Sequence, residues 1–79
     1  MDSLDLIITF REVARRGSFS AAARALDLSP ASASKYVAAL ETRFGVRLFN
    51  RTTRKVSLTD AGQLLYERTG RSEERRVGK

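Results

Sequence analysis

Three carboxylates, Glu41, Asp60 and Glu67, are the obvious places to look for acid–base chemistry, and none has a partner suited to it. The chain of 79 residues contains no His and no Cys. That excludes an imidazole base, a thiol nucleophile, a disulfide framework and the usual zinc sites. Gly62 stands alone and carries no phosphate-loop signal. With no catalytic grouping and no metal or cofactor site, the expectation is not an enzyme. What the residues can do is attract and hydrogen-bond an anion. Lys and Arg number 15 against nine Asp and Glu, a formal charge of +6. The charge is uneven. Residues 42–59 contain no acid but hold Arg43, Arg47, Arg51, Arg54 and Lys55. A solvated face usually mixes signs, so this stretch reads as an anion-binding surface. Nucleic acid is the first partner to consider and a membrane surface the second. Arg11, Arg15 and Arg16 form another basic group, read as ordinary dipole partners at a helix C-terminus.

These cations need a scaffold, and the length permits only one small domain. No apolar run approaches the ~20 residues of a membrane span, and no secretory signal opens the chain, so the expected location is cytoplasmic. The spacing of Leu6, Phe10, Val13 and Ala14 predicts a first helix over residues 3–16, with Gly17 as its left-handed cap. Ser18 then caps a short helix over residues 19–26. Asp27 and Leu28 make a turn. Ser29-Pro30 starts a third helix with a capping hydroxyl followed by a proline at the first helical position. This helix runs to about Phe44, where Gly45 ends it. The segments Val46-Arg47-Leu48-Phe49 and Val56-Ser57-Leu58 predict two short strands joined by a polar, basic loop. Thr59 caps a fourth helix that has Asp60 in its first turn. Gly62 lowers that helix's stability by roughly 1 kcal/mol relative to Ala.

The third helix has two distinct faces. At about 100° per residue from Ala31, Ala33, Val37, Leu40 and Phe44 fall at roughly 200°, 240°, 180° and 220°, a stripe for the core. Ala31, Ser34, Lys35 and Ala38 fall at roughly 0°, 300°, 40° and 340°, on the far side. Small residues with one cation suit a backbone that must approach a flat, polar, negative partner. Two helices joined by so short a turn form a helix-turn-helix, whose second helix enters the DNA major groove through its N-terminal residues. Those residues here are Pro30, Ala31, Ser32, Ser34 and Lys35. Lys can reach guanine O6 or N7, and Ala a thymine methyl. Ser32 and Ser34 would equally serve as plain first-turn residues beside a cap. The basic ribbon next to this helix is a wing. Arg51, Arg54 and Lys55 could neutralise phosphates or enter a narrow minor groove, with Asn50, Thr52 and Thr53 adding hydrogen bonds. Leu48 and Phe49 are expected to pack the wing onto the core. The fold class is mainly α: a winged helix-turn-helix with a three-helix core, a two-stranded wing and the start of a further helix.

The motifs recur in a known family. They are Gly17-Ser18-Phe19-Ser20-Ala21-Ala22-Ala23-Arg24-Ala25-Leu26, Leu28-Ser29-Pro30, Ser34-Lys35, Leu40-Glu41, Phe44-Gly45-Val46-Arg47-Leu48-Phe49, Arg51-Thr52-Thr53-Arg54 and Leu58-Thr59-Asp60-Ala61-Gly62. The series resembles, in register and without gaps over about residues 1–69, the N-terminal domain of LysR-type transcriptional regulators. The resemblance implies a bacterial, nucleoid-associated regulator that binds double-stranded DNA at promoter inverted repeats, as a homodimer or tetramer in the full-length parent. It implies groove and phosphate contacts from Ser20, Pro30, Ala31, Ser32, Ser34 and Lys35, and wing contacts from Arg51, Thr52, Thr53 and Arg54. Tyr36 stands where the family commonly has Gln. Family members continue into a long linker helix and an effector-binding domain. Here only the first turns, to about Arg68, are expected, with Ala61, Leu64 and Leu65 as a remnant of the dimerisation face and no effector pocket.

The implied organisation is a DNA-binding domain over residues 1–58, a linker stub over 59–69 and a tail over 70–79. By composition residues 71–79 read as a solvated tail. They also resemble a sequencing-library adapter translated in frame, which would make them non-native. An alternative function is an interaction module that pairs through the stub with intact regulators and interferes with them. Another is a winged helix that binds RNA or only protein.

Overall fold

Capping residues set the helix boundaries. The computed structural model describes residues 3–50 and 56–77, with side chains over residues 4–50 and 56–70. Helix α1 (Ser3–Arg16) stops at Gly17, whose φ of 68° is left-handed and whose N–H bonds the Val13 carbonyl at 2.7 Å. Helix α2 (Phe19–Ala25) starts where the Ser18 hydroxyl accepts from Ala21 N–H at 3.1 Å. Asp27 turns the chain with φ 61°, a conformation its short polar side chain tolerates. Helix α3 (Pro30–Phe44) has Ser29 as its N-cap, Pro30 in its first turn, and Gly45 at φ 68° as its C-cap. Strands β1 (Phe49–Asn50) and β2 (Ser57–Leu58) pair antiparallel, Phe49 opposite Leu58 and Asn50 opposite Ser57. Helix α4 (Asp60–Val77) follows.

One core joins these elements. Leu6, Phe10 and Val13 of α1, Ala22 of α2, Val37 and Leu40 of α3, and Leu48 and Phe49 at the wing are all buried together. Phe49 is its centre. Its ring lies 5.4 Å from that of Phe10 and 5.8 Å from that of Phe19, in tilted and edge-on contacts that suit aromatic quadrupoles. Leu48 and Phe49 thus tie the wing to the three helices, as the sequence predicts.

Four expectations change. Phe44 is half exposed rather than core, because it is the last residue of α3 and the apolar stripe outruns the domain there. The ribbon is shorter than predicted, with Val46 exposed ahead of it. Helix α4 does not fray near Arg68 but continues through Gly70 to Val77, over Arg and Glu residues with good helix propensity and no proline. Arg11, finally, is buried against α4. Arg15 and Arg16 do behave as surface cations, sharing the Glu12 carboxylate at 3.0 and 2.7 Å.

Gly62 has a reason beyond helix propensity. A Cβ on it would overlap the Leu48 carbonyl and approach Leu58 Cδ2 to 2.9 Å. The first turn of α4 lies directly on the wing backbone, and only glycine allows that approach. Gly62→Ala therefore tests which effect wins. Propensity alone favours Ala by ~1 kcal/mol, whereas crowding a backbone carbonyl opposes it by about 1–3 kcal/mol. Urea denaturation is expected to show a net loss of stability; a gain would refute the close approach.

Candidate nucleic-acid interface

The N-terminal turn of α3 is held by a small serine network. The Ser29 hydroxyl accepts from Ser32 N–H at 3.1 Å and donates to the Ser32 hydroxyl at 3.0 Å. The two bonds hold the half-buried Ser32 side chain beside the cap. Pro30, Ala31, Lys35, Ala38 and Thr42 are exposed, while Ala33, Val37 and Leu40 on the opposite side are buried. Ala31, Lys35, Ala38 and Thr42 recur at helical spacing, so they form one outward stripe. Ser34 is half-buried beside it, and Ser20 is exposed on α2. The stripe carries one cation among short side chains, so the α3 backbone can come close to a surface laid against it. Tyr36 packs against the core, consistent with its position between the two faces.

The wing is attached to α3 by Glu41. Its Oε2 accepts from Leu48 N–H at 2.9 Å and from Phe49 N–H at 3.4 Å. In the sequence Glu41 shows only as a carboxylate with no partner suited to acid–base chemistry. No local pattern marks it, because its partners lie seven and eight positions away on a different element. Thr59 completes the joint. Its N–H bonds the Leu48 carbonyl at 3.1 Å, and its hydroxyl donates to the Arg47 carbonyl at 2.6 Å and accepts from Gly62 N–H at 3.1 Å. An open crevice of about 360 Å3 lined by Ala38, Glu41, Thr42, Val46 and Arg47 separates the α3 stripe from this joint. Arg51, Thr52, Thr53, Arg54 and Lys55 lie outside the described residues.

The three residues expected to form a dimerisation face divide. Leu64 is exposed, whereas Ala61 and Leu65 pack against the core. No helix of the described residues is long and apolar enough to cross a membrane.

Three helices, a ribbon packed at their side and an outward small-residue face on α3 define a winged helix-turn-helix. The profile of the bacterial regulatory helix-turn-helix proteins of the lysR family matches residues 4–63, and the chain belongs to that family. It is 57% identical over 60 residues to YcaN, an uncharacterized HTH-type transcriptional regulator of Escherichia coli, covering 76% of this chain and 20% of that protein. It is 43% identical over 67 residues to the transcriptional activator AaeR of Escherichia coli, covering 85% of this chain and 22% of the relative. Among solved structures, the BenM DNA-binding domain in complex with catB site 1 DNA superposes with a TM-score of 0.84 at 25% identity, over 98% of this chain and 89% of that one. The chain thus spans about a fifth of the length of these curated relatives. The relatives are named as transcriptional regulators, not enzymes.

Removing the Glu41 carboxylate leaves two wing amides without their acceptor. Glu41→Ala is expected to lower stability by about 1–3 kcal/mol and to speed hydrogen exchange at the Leu48 and Phe49 amides. Unchanged exchange there would show that the carboxylate does not hold the wing.

Proposed function

We propose that the chain is the DNA-reading head of a LysR-family transcriptional regulator and that α3 enters the major groove of duplex DNA. One observation carries this reading. The outward stripe Ala31, Lys35, Ala38 is small and cationic, while the opposite face of the same helix is locked into the core. Pro30, Ala31, Ser32, Ser34 and Lys35 meet base edges and the flanking phosphates, and Ser20 adds a phosphate contact from α2. Arg51, Thr52, Thr53, Arg54 and Lys55 hold the backbone or reach into the adjacent minor groove. The BenM domain, alike in fold, is bound to DNA in its solved complex, which supports duplex DNA as the partner. The parent acts in the cytoplasm, on the nucleoid, as a homodimer or tetramer on an inverted repeat. Its dimer contact runs through α4, with Leu64 outward and Ala61 and Leu65 supporting it from below.

A mobility-shift titration over a salt series tests the proposal. Binding to duplex DNA weakens with salt, and each phosphate neutralised adds about 0.9 to the magnitude of the logarithmic slope. Salt-independent binding, or a preference for single strands, would overturn it. Base reading and backbone holding separate by mutation. Lys35→Ala relaxes preference among duplex sequences, by about 1–3 kcal/mol if its contact is to guanine. Arg54→Ala weakens all sequences alike and lowers the slope by about one if its contact is to the backbone rather than in the minor groove.

A further inference from the structure

We propose that Arg11 is a positioning residue that sets the direction in which α4 leaves the domain. Arg side chains are seldom buried, yet Arg11 is only 7% exposed. Its Nη1 donates to the Tyr66 carbonyl at 2.6 Å and to the Thr69 hydroxyl at 2.8 Å. Its Cζ lies 4.1 Å from the centroid of the Tyr66 ring, a cation–π stack. The same guanidinium fills the space beside Gly70, where a Cβ would sit 3.2 and 3.3 Å from its two terminal nitrogens. One side chain of α1 therefore engages three positions of α4, Tyr66, Thr69 and Gly70, which share one face within about one turn.

This contact is the second of two fixed points. The first is at the start of α4, where Gly62 lies on the Leu48 carbonyl and Thr59 bonds both Arg47 and Leu48. Ala61, Leu65 and Tyr66 pack against the core between them. Two points separated by ~10 Å along the axis define a line, and one point alone defines a pivot. The local chain also favours bending at the second point. The Thr69 hydroxyl lies 2.8 Å from the Leu65 carbonyl and 3.2 Å from that of Tyr66, a back-bonding pattern that tends to bend helices, and glycine follows it. The helix runs on to Val77, ~22 Å beyond Gly62, so a tilt of ~10° there moves its end by ~4 Å, about the rise of one base pair. The consequence is that Arg11 sets the spacing between two reading heads joined through α4. That step rests on the DNA-binding reading above; the direction of α4 does not.

The absence of Cys allows a direct test without DNA. Arg24 and Arg68 are exposed on α2 and α4, so Arg24→Cys with Arg68→Cys accepts two nitroxides. The labelled chain is diluted with unlabelled chain to suppress distances between copies. The parent pair is expected to give one narrow distance distribution. Arg11→Met keeps the apolar stem but removes the hydrogen bonds to Tyr66 and Thr69 and the charge, and is expected to shift or broaden the distribution by roughly 2 Å. Thr69→Val, which removes one hydroxyl without changing size, is expected to do so to a smaller extent. A merely stabilising role would lower the melting temperature but leave the distances in folded molecules unchanged. Unchanged distributions in both folded variants overturn the proposal. If Arg11→Met does not fold, Thr69→Val decides it alone, and an unchanged distribution there is equally fatal.

Discussion

The backbone of Leu48 joins the three parts of the molecule that must keep a fixed relation. Its N–H is held by the Glu41 carboxylate of α3, its carbonyl accepts from Thr59 at the cap of α4, and Gly62 rests against that same carbonyl. Its side chain is in the core. On the proposed reading, a basic wing is useful only if its cations reach the duplex while α3 lies in the groove, and Leu48 is the residue that ties α3 to the wing strands and to α4. Buried backbone groups cannot be left unpaired without a penalty of about 1–3 kcal/mol, so the joint has few ways to rearrange. The Phe10, Phe19 and Phe49 rings then fix the joint to α1 and α2 by packing rather than by hydrogen bonds.

Much of this arrangement was legible in the sequence where the physics is local. Ser18, Ser29-Pro30 and Thr59 announced helix starts, and Gly17 and Gly45 announced stops, because capping is settled within four residues. The two faces of α3 followed from helical periodicity. What could not be read was the set of contacts between distant positions. Glu41 to Leu48 spans an element boundary, and Arg11 to Tyr66 and Thr69 joins the two ends of the domain. Gly62 illustrates the difference most sharply. Within its own helix it is a defect, and only against the Leu48 carbonyl does it become a requirement. Phe44 shows the converse error, a periodic position that the helix carries past the edge of the core.

The same distinction decides how the net charge is used. A formal +6 suggests a broadly basic surface, yet the cations of α1 contribute little to it. Arg15 and Arg16 share Glu12, and Arg11 is turned inward to hold α4. The acid-free stretch over residues 42–59, by contrast, sets five cations against no acid, with Lys35 as the cation of the α3 stripe. This division has a physical advantage. Cations crowded onto the recognition helix would attract any phosphate equally and hold the helix backbone away from the bases. On the proposed reading, short side chains on α3 let the backbone approach, where directional contacts discriminate, while the strong but sequence-blind attraction is left to the segment beside it. On that same reading, the anchoring of Leu48 and Phe49 to Glu41 is what converts attraction into orientation, because it holds the start of the wing to α3.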